Sequence, residues 1–306
     1  MKHFFVVNPT SGSGKEHGEL IRRINDVCNE KRVEYEVKLT EYPGHARELT
    51  PTALDNASDT VRFYACGGDG TVNEVADGIL GNPHAEFSVI PVGTGNDFVR
   101  SFSPEGSFKC VEDQIAGTAM TIDSVTTGSG SFVNMLNVGF DSAVVATIAR
   151  LRNKFSVMRG KFAYIISVAI NFLKMPKTTL ECVFDDGERV SGKYLLAAFS
   201  NGQYYGGGFK AAPRASVDDG IMDVLLVRPC SRFVFLKLIS KYKNGTLLDD
   251  RKNAKYIFSK KCKAVTASFS KQSWVCVDGE VVGEHSFEMK VLPGALKFSQ
   301  PRKGNI

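Results

Sequence analysis

Three short segments of this 306-residue chain combine glycine with small polar side chains: Asn8-Pro9-Thr10-Ser11-Gly12-Ser13-Gly14, Gly67-Gly68-Asp69-Gly70-Thr71 and Gly93-Thr94-Gly95-Asn96-Asp97. Glycine lets a backbone approach a ligand closely and turns several N–H groups outward. A helix starting at such a loop adds the positive end of its dipole, so each segment suits phosphate. Each also has the composition of a tight turn, and only their convergence favours binding over mere turning. Asp69 carries more information than its neighbours. A carboxylate among phosphate-binding amides repels the ligand unless it holds magnesium or takes a proton from an acceptor hydroxyl. The competing reading is that Asp69 caps the helix behind it, and both readings stay open at this point.

Two familiar nucleotide signatures fail. Gly14-Lys15 resembles the end of a P-loop, but Pro9 stands where its first glycine belongs and Glu16 follows the lysine, which disfavours a Walker ATPase. Gly68-Asp69-Gly70 does not extend to G-x-G-x-x-G, because Asn73 occupies the third glycine position, which disfavours a dinucleotide site.

The elements that must position these loops come from the periodicity. The first third of the chain alternates apolar runs with helix-like segments, the pattern of a parallel sheet covered by helices. Strands are expected at Phe4–Val7, Tyr35–Leu39, Val61–Cys66 and Phe87–Val92, and helices at Gly18–Lys31, Leu49–Ala57 and Thr71–Leu80. Loops that follow the strands of such a sheet gather outside its carboxyl edge, where ligands bind. After about Asp123 the texture changes to short alternating segments between Gly, Asp and Asn turns. Strands are expected at Phe132–Val138, Thr179–Phe184, Lys193–Ser200, Met222–Val227, Ala264–Ser270 and Trp274–Val277. Many short strands of this kind suggest a sandwich or barrel. Helical interruptions fall at about 142–174 and 231–243. The first carries Arg150, Arg152, Lys154, Arg159 and Lys161 ahead of an aromatic stretch, which suits either an anionic membrane surface or a core helix with a basic flank. The second, with Phe233, Phe235, Leu236 and Ile239, suits packing first and membrane contact as the lesser alternative.

Composition sets the outer bounds. A hydrophobic content of 43% fills a core for one large unit or two ordinary domains. Lys and Arg outnumber Asp and Glu by 38 to 33, a net charge of +5 that favours anionic partners without requiring nucleic acid. Seven cysteines without a C-x-x-C pair show neither zinc spacing nor a disulfide framework, and fit a reducing cytoplasm. No stretch reaches the roughly 18 to 20 apolar residues of a membrane-spanning helix, so any lipid is expected to be met from the surface.

With these residues in hand, the chain resembles the diacylglycerol kinase catalytic-domain family, the soluble bacterial lipid kinases related to diacylglycerol and sphingosine kinases. The motifs that carry the resemblance are Asn8-Pro9-x-Ser11-Gly12-x-Gly14, Gly67-Gly68-Asp69-Gly70-Thr71-Val72-Asn73-Glu74, Pro91-x-Gly93-Thr94-Gly95-Asn96-Asp97-Phe98 and Val277-Asp278-Gly279-Glu280. The resemblance implies α/β plus β architecture: an N-terminal three-layer α/β nucleotide domain, similar to those of NAD kinase and phosphofructokinase, over 1–122, and a β-sandwich-like lipid domain over 123–293. ATP would lie in the cleft between them, and the tail at about 294–306 would pack back on the first domain. It implies a nucleotide site of Asn8, Ser11, Gly12, Gly14, Thr40, His45, Gly67, Gly68, Asp69, Gly70, Thr71, Glu74, Gly93, Thr94, Gly95 and Asn96. It further implies that Asp69 and Asp123 hold catalytic Mg2+ through water and the phosphates, that Glu280 is the general base on the lipid hydroxyl, and that Asp218, Asp219 and Met222 hold a structural Mg2+. The same acidic turn also has the composition of a plain solvated turn.

The expected activity is transfer of the γ-phosphoryl group of ATP to a lipid hydroxyl, that of diacylglycerol or a relative, by a cytoplasmic enzyme peripheral to the membrane. Exposed strand edges in the β domain leave room for a homodimer. Two other classes are weighed. NAD kinase shares the Gly-Gly-Asp-Gly-Thr turn but expects a separate downstream Asn-Glu pair, whereas Asn73-Glu74 lies in the turn's own helix. A non-catalytic nucleotide- or lipid-binding module has no need of Asp69, Asp123 and Glu280 together.

Overall fold

The computed structural model describes residues 1–12, 16–57, 59–154, 160–249 and 251–303. The chain divides into two compact units.

The first unit comprises Met1–Ser124, Val217–Asp219 and Leu292–Ile306. Its elements in chain order are β1 (Lys2–Val7), α1 (Glu16–Glu30), β2 (Tyr35–Leu39), α2 (His45–Asp55), β3 (Val61–Gly67), α3 (Asp69–Gly78), β4 (Ala85–Pro91), a 3-10 turn at Phe98–Ser101, α4 (Val111–Ile115) and the start of β5 (Thr118–Thr126). The strands lie in the order β2-β1-β3-β4, all parallel. β1 and β3 are buried almost throughout, as strands covered on both faces must be. Phe5, Val7, Tyr64, Cys66 and Ile90 meet Ile24, Val27 and Cys28 of α1 on one face. α2 and α3 pack against each other and against β3 on the other. Beyond β4, the end of the last strand adds in parallel through Phe298 opposite Phe87. The Phe298 ring is fully buried, 5.1 Å from the rings of Phe87 and Phe98 and 4.4 Å from that of Phe102.

The second unit comprises Val125–Ser216 and Gly220–Val291. It contains β6 (Ser131–Phe132), β7 (Met135–Gly139), α5 (Phe140–Lys154), α6 (Gly160–Lys174), β8 (Thr178–Phe184), β9 (Arg189–Tyr194), β10 (Leu196–Ser200), β11 (Met222–Val227), α7 (Arg232–Lys243), β12 (Ile257–Cys262), β13 (Ala264–Val277) and most of β14 (Glu280–Gln300). The strands pair antiparallel in the order β12-β11-β10-β7-β13-β14, and β8 joins β13 to β9. Alternation splits them cleanly. Leu136, Val138, Phe199 and Val224 enter one core with Leu180 and Met289, while Met135, Leu196, Ala198 and Leu225 face Leu238 and Tyr242 of α7. An α/β unit followed by an antiparallel β unit is the architecture expected from the sequence.

Several element boundaries differ from expectation, most of them because of contacts made across the fold. α3 begins at Asp69 rather than Thr71, with Gly68 as its N-cap. α2 begins at His45 rather than Leu49, because the Glu74 carboxylate accepts the Gly44 and Ala46 N–H groups at 2.9 and 3.1 Å. The run 132–138 is two strands, because Val133, Asn134 and Met135 turn their N–H groups toward the Asp278 carboxylate. The run 193–200 also breaks, at Leu195, whose carbonyl accepts from Phe140 and whose N–H donates to Val227. Conversely 264–270 and 274–277 form one strand with an irregularity between Ser268 and Ser273.

Candidate active site

Because β2, β1, β3 and β4 are parallel neighbours, the loops after them emerge side by side at the carboxyl edge of the first unit. The loops after β3 and β4 touch. The N–H groups of Val92 and Gly93 both donate to the Gly67 carbonyl at 3.1 Å. A Cβ on Gly93 would collide with Gly68 Cα, and one on Gly67 would collide with the Thr71 hydroxyl. Glycine is required here by close approach, with no room for a methyl group. No side chain caps the N-terminus of α3, so its first-turn amides are oriented for an anionic ligand.

The first loop is tied to the second by Asn8. Its amide donates to Thr71 Oγ1 at 3.0 Å while its Oδ1 accepts from the Thr10 N–H and hydroxyl at 3.0 and 2.8 Å. Ser11 donates its N–H to the Asn8 carbonyl, and Gly12 takes a φ of 64° to turn the chain. Gly14 lies outside the described residues. Thr40 is nearly buried where β2 ends, its N–H bonded to the Val7 carbonyl at 2.9 Å. His45 stacks on Tyr42 at 4.6 Å and accepts the Glu41 N–H at Nδ1. Glu74, through the two amides it accepts, holds the start of α2 against α3, which makes it a positioning residue in this structure. In the third loop Thr94 is exposed, and Asn96, at a φ of 53°, donates its amide to the Gly93 carbonyl at 2.7 Å.

Asp69 does not cap its own helix. Its Oδ1 accepts the N–H groups of Asp97 and Phe98 at 2.7 and 3.2 Å, pinning the third loop to the second. Its other oxygen stands 2.7 Å from where a Cβ on Gly95 would be. Burial, followed by the charge of Asp97, pushes the Asp69 carboxyl up to about 6, against the opposing backbone hydrogen bonds. Asp97 is itself buried and paired with Arg100 at 3.3 Å. The sequence places Asp97 in a motif without assigning it a role. The structure makes it the charge that tunes Asp69.

Asp123 is buried on β5, where its Oδ1 accepts the Gly294 N–H at 2.8 Å and its own N–H donates to the Val217 carbonyl at 2.6 Å. It thereby joins the three separate segments of the first unit. In the second unit, Asp278-Gly279 forms the two-residue hairpin between β13 and β14, with φ of 44° and 97° as a type I′ turn requires. Asp278 does more than turn. Its buried carboxylate accepts the N–H groups of Val133 at 2.9 Å, Asn134 at 3.2 Å and Met135 at 2.7 Å. No spacing rule links positions 145 residues apart, so this role was invisible in the sequence. Glu280 follows the turn and is exposed at the first position of β14.

Asp218 and Asp219 belong to the first unit, and Met222 opens β11 in the second. Among the described residues no group of three or more His, Cys, Asp or Glu side chains forms a metal cluster. The donor set instead fits a magnesium ion that arrives with a nucleotide, since such an ion keeps most of its water and needs only one or two carboxylates. Asp69 beside Asp97 supplies that negative charge at the edge of the glycine loops. The uncapped helix, the closely apposed glycines and the exposed Thr94 fit the phosphates themselves.

Two family models match the chain. One, the diacylglycerol kinase catalytic domain, covers residues 2–127. The other, the YegS C-terminal NAD kinase beta sandwich-like domain, covers residues 134–300, more than half of the sequence. A diacylglycerol kinase of Bacillus subtilis is 27% identical over 295 residues, covering 94% of this chain and 90% of its own. A diacylglycerol kinase of Mycobacterium tuberculosis is 27% identical over 311 residues, covering 98% and 95%. A crystal structure of a diacylglycerol kinase from Bacillus anthracis superposes with a TM-score of 0.70 at 20% identity, covering 99% of this chain and 98% of that one, a likeness of fold.

Proposed function

The chain belongs to the diacylglycerol kinase catalytic-domain family and is a lipid kinase, and from that premise we propose that it passes the γ-phosphoryl group of ATP to a hydroxyl of diacylglycerol or a related lipid. The observation that carries the reading is Asp69, a half-buried carboxylate held where two glycine loops touch and pushed up to about 6. A group so placed costs stability at neutral pH, and its site is suited to charge and proton chemistry.

In this reading the amides of Gly68, Asp69, Gly70 and Thr71, with Thr94, bind the phosphates, and Asn8 fixes the first loop against them. We assign the nucleotide domain, expected over 1–122, to the first unit with its added segments Val217–Asp219 and Leu292–Ile306, and the lipid domain, expected over 123–293, to the second unit. Asp69 and Asp123 would hold Mg2+, which when bound neutralises phosphate charge. The lipid oxygen attacks the γ-phosphorus, the bond to the ADP oxygen breaks, and Glu280 or Asp69 accepts the hydroxyl proton. The Asp218-Asp219 turn, with oxygens suited to a hard cation, is assigned a structural Mg2+. Among the described residues no helix is long and apolar enough to cross a membrane, and we assign the chain a cytoplasmic place with peripheral membrane contact.

The test is phosphate transfer from labelled ATP to extracted host lipids, with the product identified by mass, alongside NAD as a competing acceptor. A labelled lipid is expected, and Asp69→Asn is expected to lower turnover by about 10² to 10⁴ with the fold intact. Near-normal turnover in that variant, or label on NAD alone, would sink the assignment.

A further inference from the structure

The sequence of helix α7 suits packing first and membrane contact second, and the structure divides the helix into two faces. Phe235, Leu238 and Tyr242 are buried, 2% exposed each, and Phe235 packs on Phe140 and Phe172. Phe233, Leu236, Lys237, Ser240 and Lys241 recur at i, i+3, i+4, i+7 and i+8, the opposite stripe of the same helix. On that stripe Phe233 is 82% exposed and Leu236 49%. The end of α6 continues it, since Leu173 is 67% exposed and its carbonyl accepts a hydrogen bond from Arg232 at 2.7 Å.

Two shallow grooves flank Leu236. One, of about 650 Å³, runs between the end of α6 and the start of α7 and is lined by Lys174, Lys177 and Arg232. The other lies between α7 and the 3-10 segment at Arg251–Tyr256 and is lined by Lys237, Lys241 and Lys252. Among the described residues that line the two grooves, none is Asp or Glu. Bulky apolar side chains at such exposure, rimmed by charge of a single sign, mark a docking surface rather than an ordinary solvated helix.

We propose that this face of α7 and the end of α6 dock on a bilayer containing anionic phospholipid. Phe233, Leu236 and Leu173 enter the boundary between headgroups and acyl chains. Lys174, Lys177, Arg232, Lys237 and Lys252 meet the lipid phosphates, their aliphatic stems lying along the apolar residues. The charge selects the occupant: a neutral apolar partner offers nothing to the cations that rim Phe233 and Leu236, whereas an anionic bilayer satisfies both components at once. The proposal rests on the lipid-kinase reading only for its purpose, that of bringing the chain to its acceptor.

The full chain is sedimented with vesicles of phosphatidylcholine containing phosphatidylglycerol, and with vesicles of phosphatidylcholine alone. The wild type is expected to prefer the anionic vesicles and to lose affinity as salt rises. Phe233→Ser with Leu236→Ser, and separately Lys237→Glu with Lys252→Glu, are each expected to weaken binding by about tenfold or more. Both pairs are solvent-exposed, and turnover of short-chain diacylglycerol in detergent is expected to stay at the wild-type level. Unchanged vesicle binding in both variants overturns the proposal, as does equal wild-type binding to both kinds of vesicle. A wild-type dimer that the Phe233→Ser, Leu236→Ser pair dissociates, with vesicle binding unaltered, also overturns it by naming a second copy as the occupant. Failure of the lipid-kinase reading registers differently, as no labelled lipid in detergent from any form of the protein.

Discussion

Asp69 is held in tension between burial, which favours its protonated form, and the amides of Asp97 and Phe98, which favour the carboxylate. Its folded value is raised, so the stability it adds is fully present below about pH 4 and is lost as pH rises through about 6. Asp69→Asn is therefore expected to melt no lower than the wild type at pH 8 and to lose that parity or advantage toward pH 4, as read by thermal denaturation across pH. The activity of the wild type is expected to fall as pH drops through about 6, and Asp97→Asn, by removing the second cause, should move that fall to lower pH. Asp278 has a structural part, as a buried acceptor satisfying three amides. Asp278→Ala strands those donors and is expected to cost about 3 to 5 kcal/mol, with the melting temperature lowered by roughly 10 °C. Unfolding of Asp278→Ala at the wild-type temperature would show that the three amides find other partners.

At the scale of elements, the site depends on how closely two loops can approach. The ladder between β3 and β4 ends at Gly67 opposite Pro91, and the next residues are in backbone contact. Gly93→Ala places a methyl group against Gly68 Cα, which forces the loops apart at a cost of about 1 to 3 kcal/mol. The amides and Asp69 then shift relative to one another, and kcat/KM for ATP is expected to fall about a hundredfold. Steady-state kinetics at varied ATP would measure this, and a change confined to the lipid KM would place the defect elsewhere. Glu74 acts at the same scale, since the α2 amides it accepts hold two helices in register behind the loops.

For the molecule as a whole, the first unit is closed by residues from the far end of the chain. Phe298 fills a cluster of rings contributed by β4 and the 3-10 turn beyond it, and Gly294 donates to Asp123. Phe298→Ala is expected to destabilise the first unit by about 3 to 5 kcal/mol, and removal of Leu292 onward to leave it sensitive to protease. Limited proteolysis read by fragment mass tests both. Cleavage confined to the second unit would contradict this account.

The sequence alone determined the alternation of strands and helices, the three glycine segments and the failure of the Walker and dinucleotide patterns, because periodicity, turn chemistry and motif spacing are local properties of the chain. The same locality explains the strand Met222–Val227, expected and found over identical residues. What spacing cannot express is contact across the fold. That Asp69 accepts amides from the third loop instead of capping its helix, and that Asp97 tunes it, follows from β3 and β4 lying side by side. That Asp278 orders a loop 145 positions away, and that Phe233 faces outward while Phe235 packs inward, was decided only by tertiary structure, since burial depends on what the rest of the chain places opposite each residue.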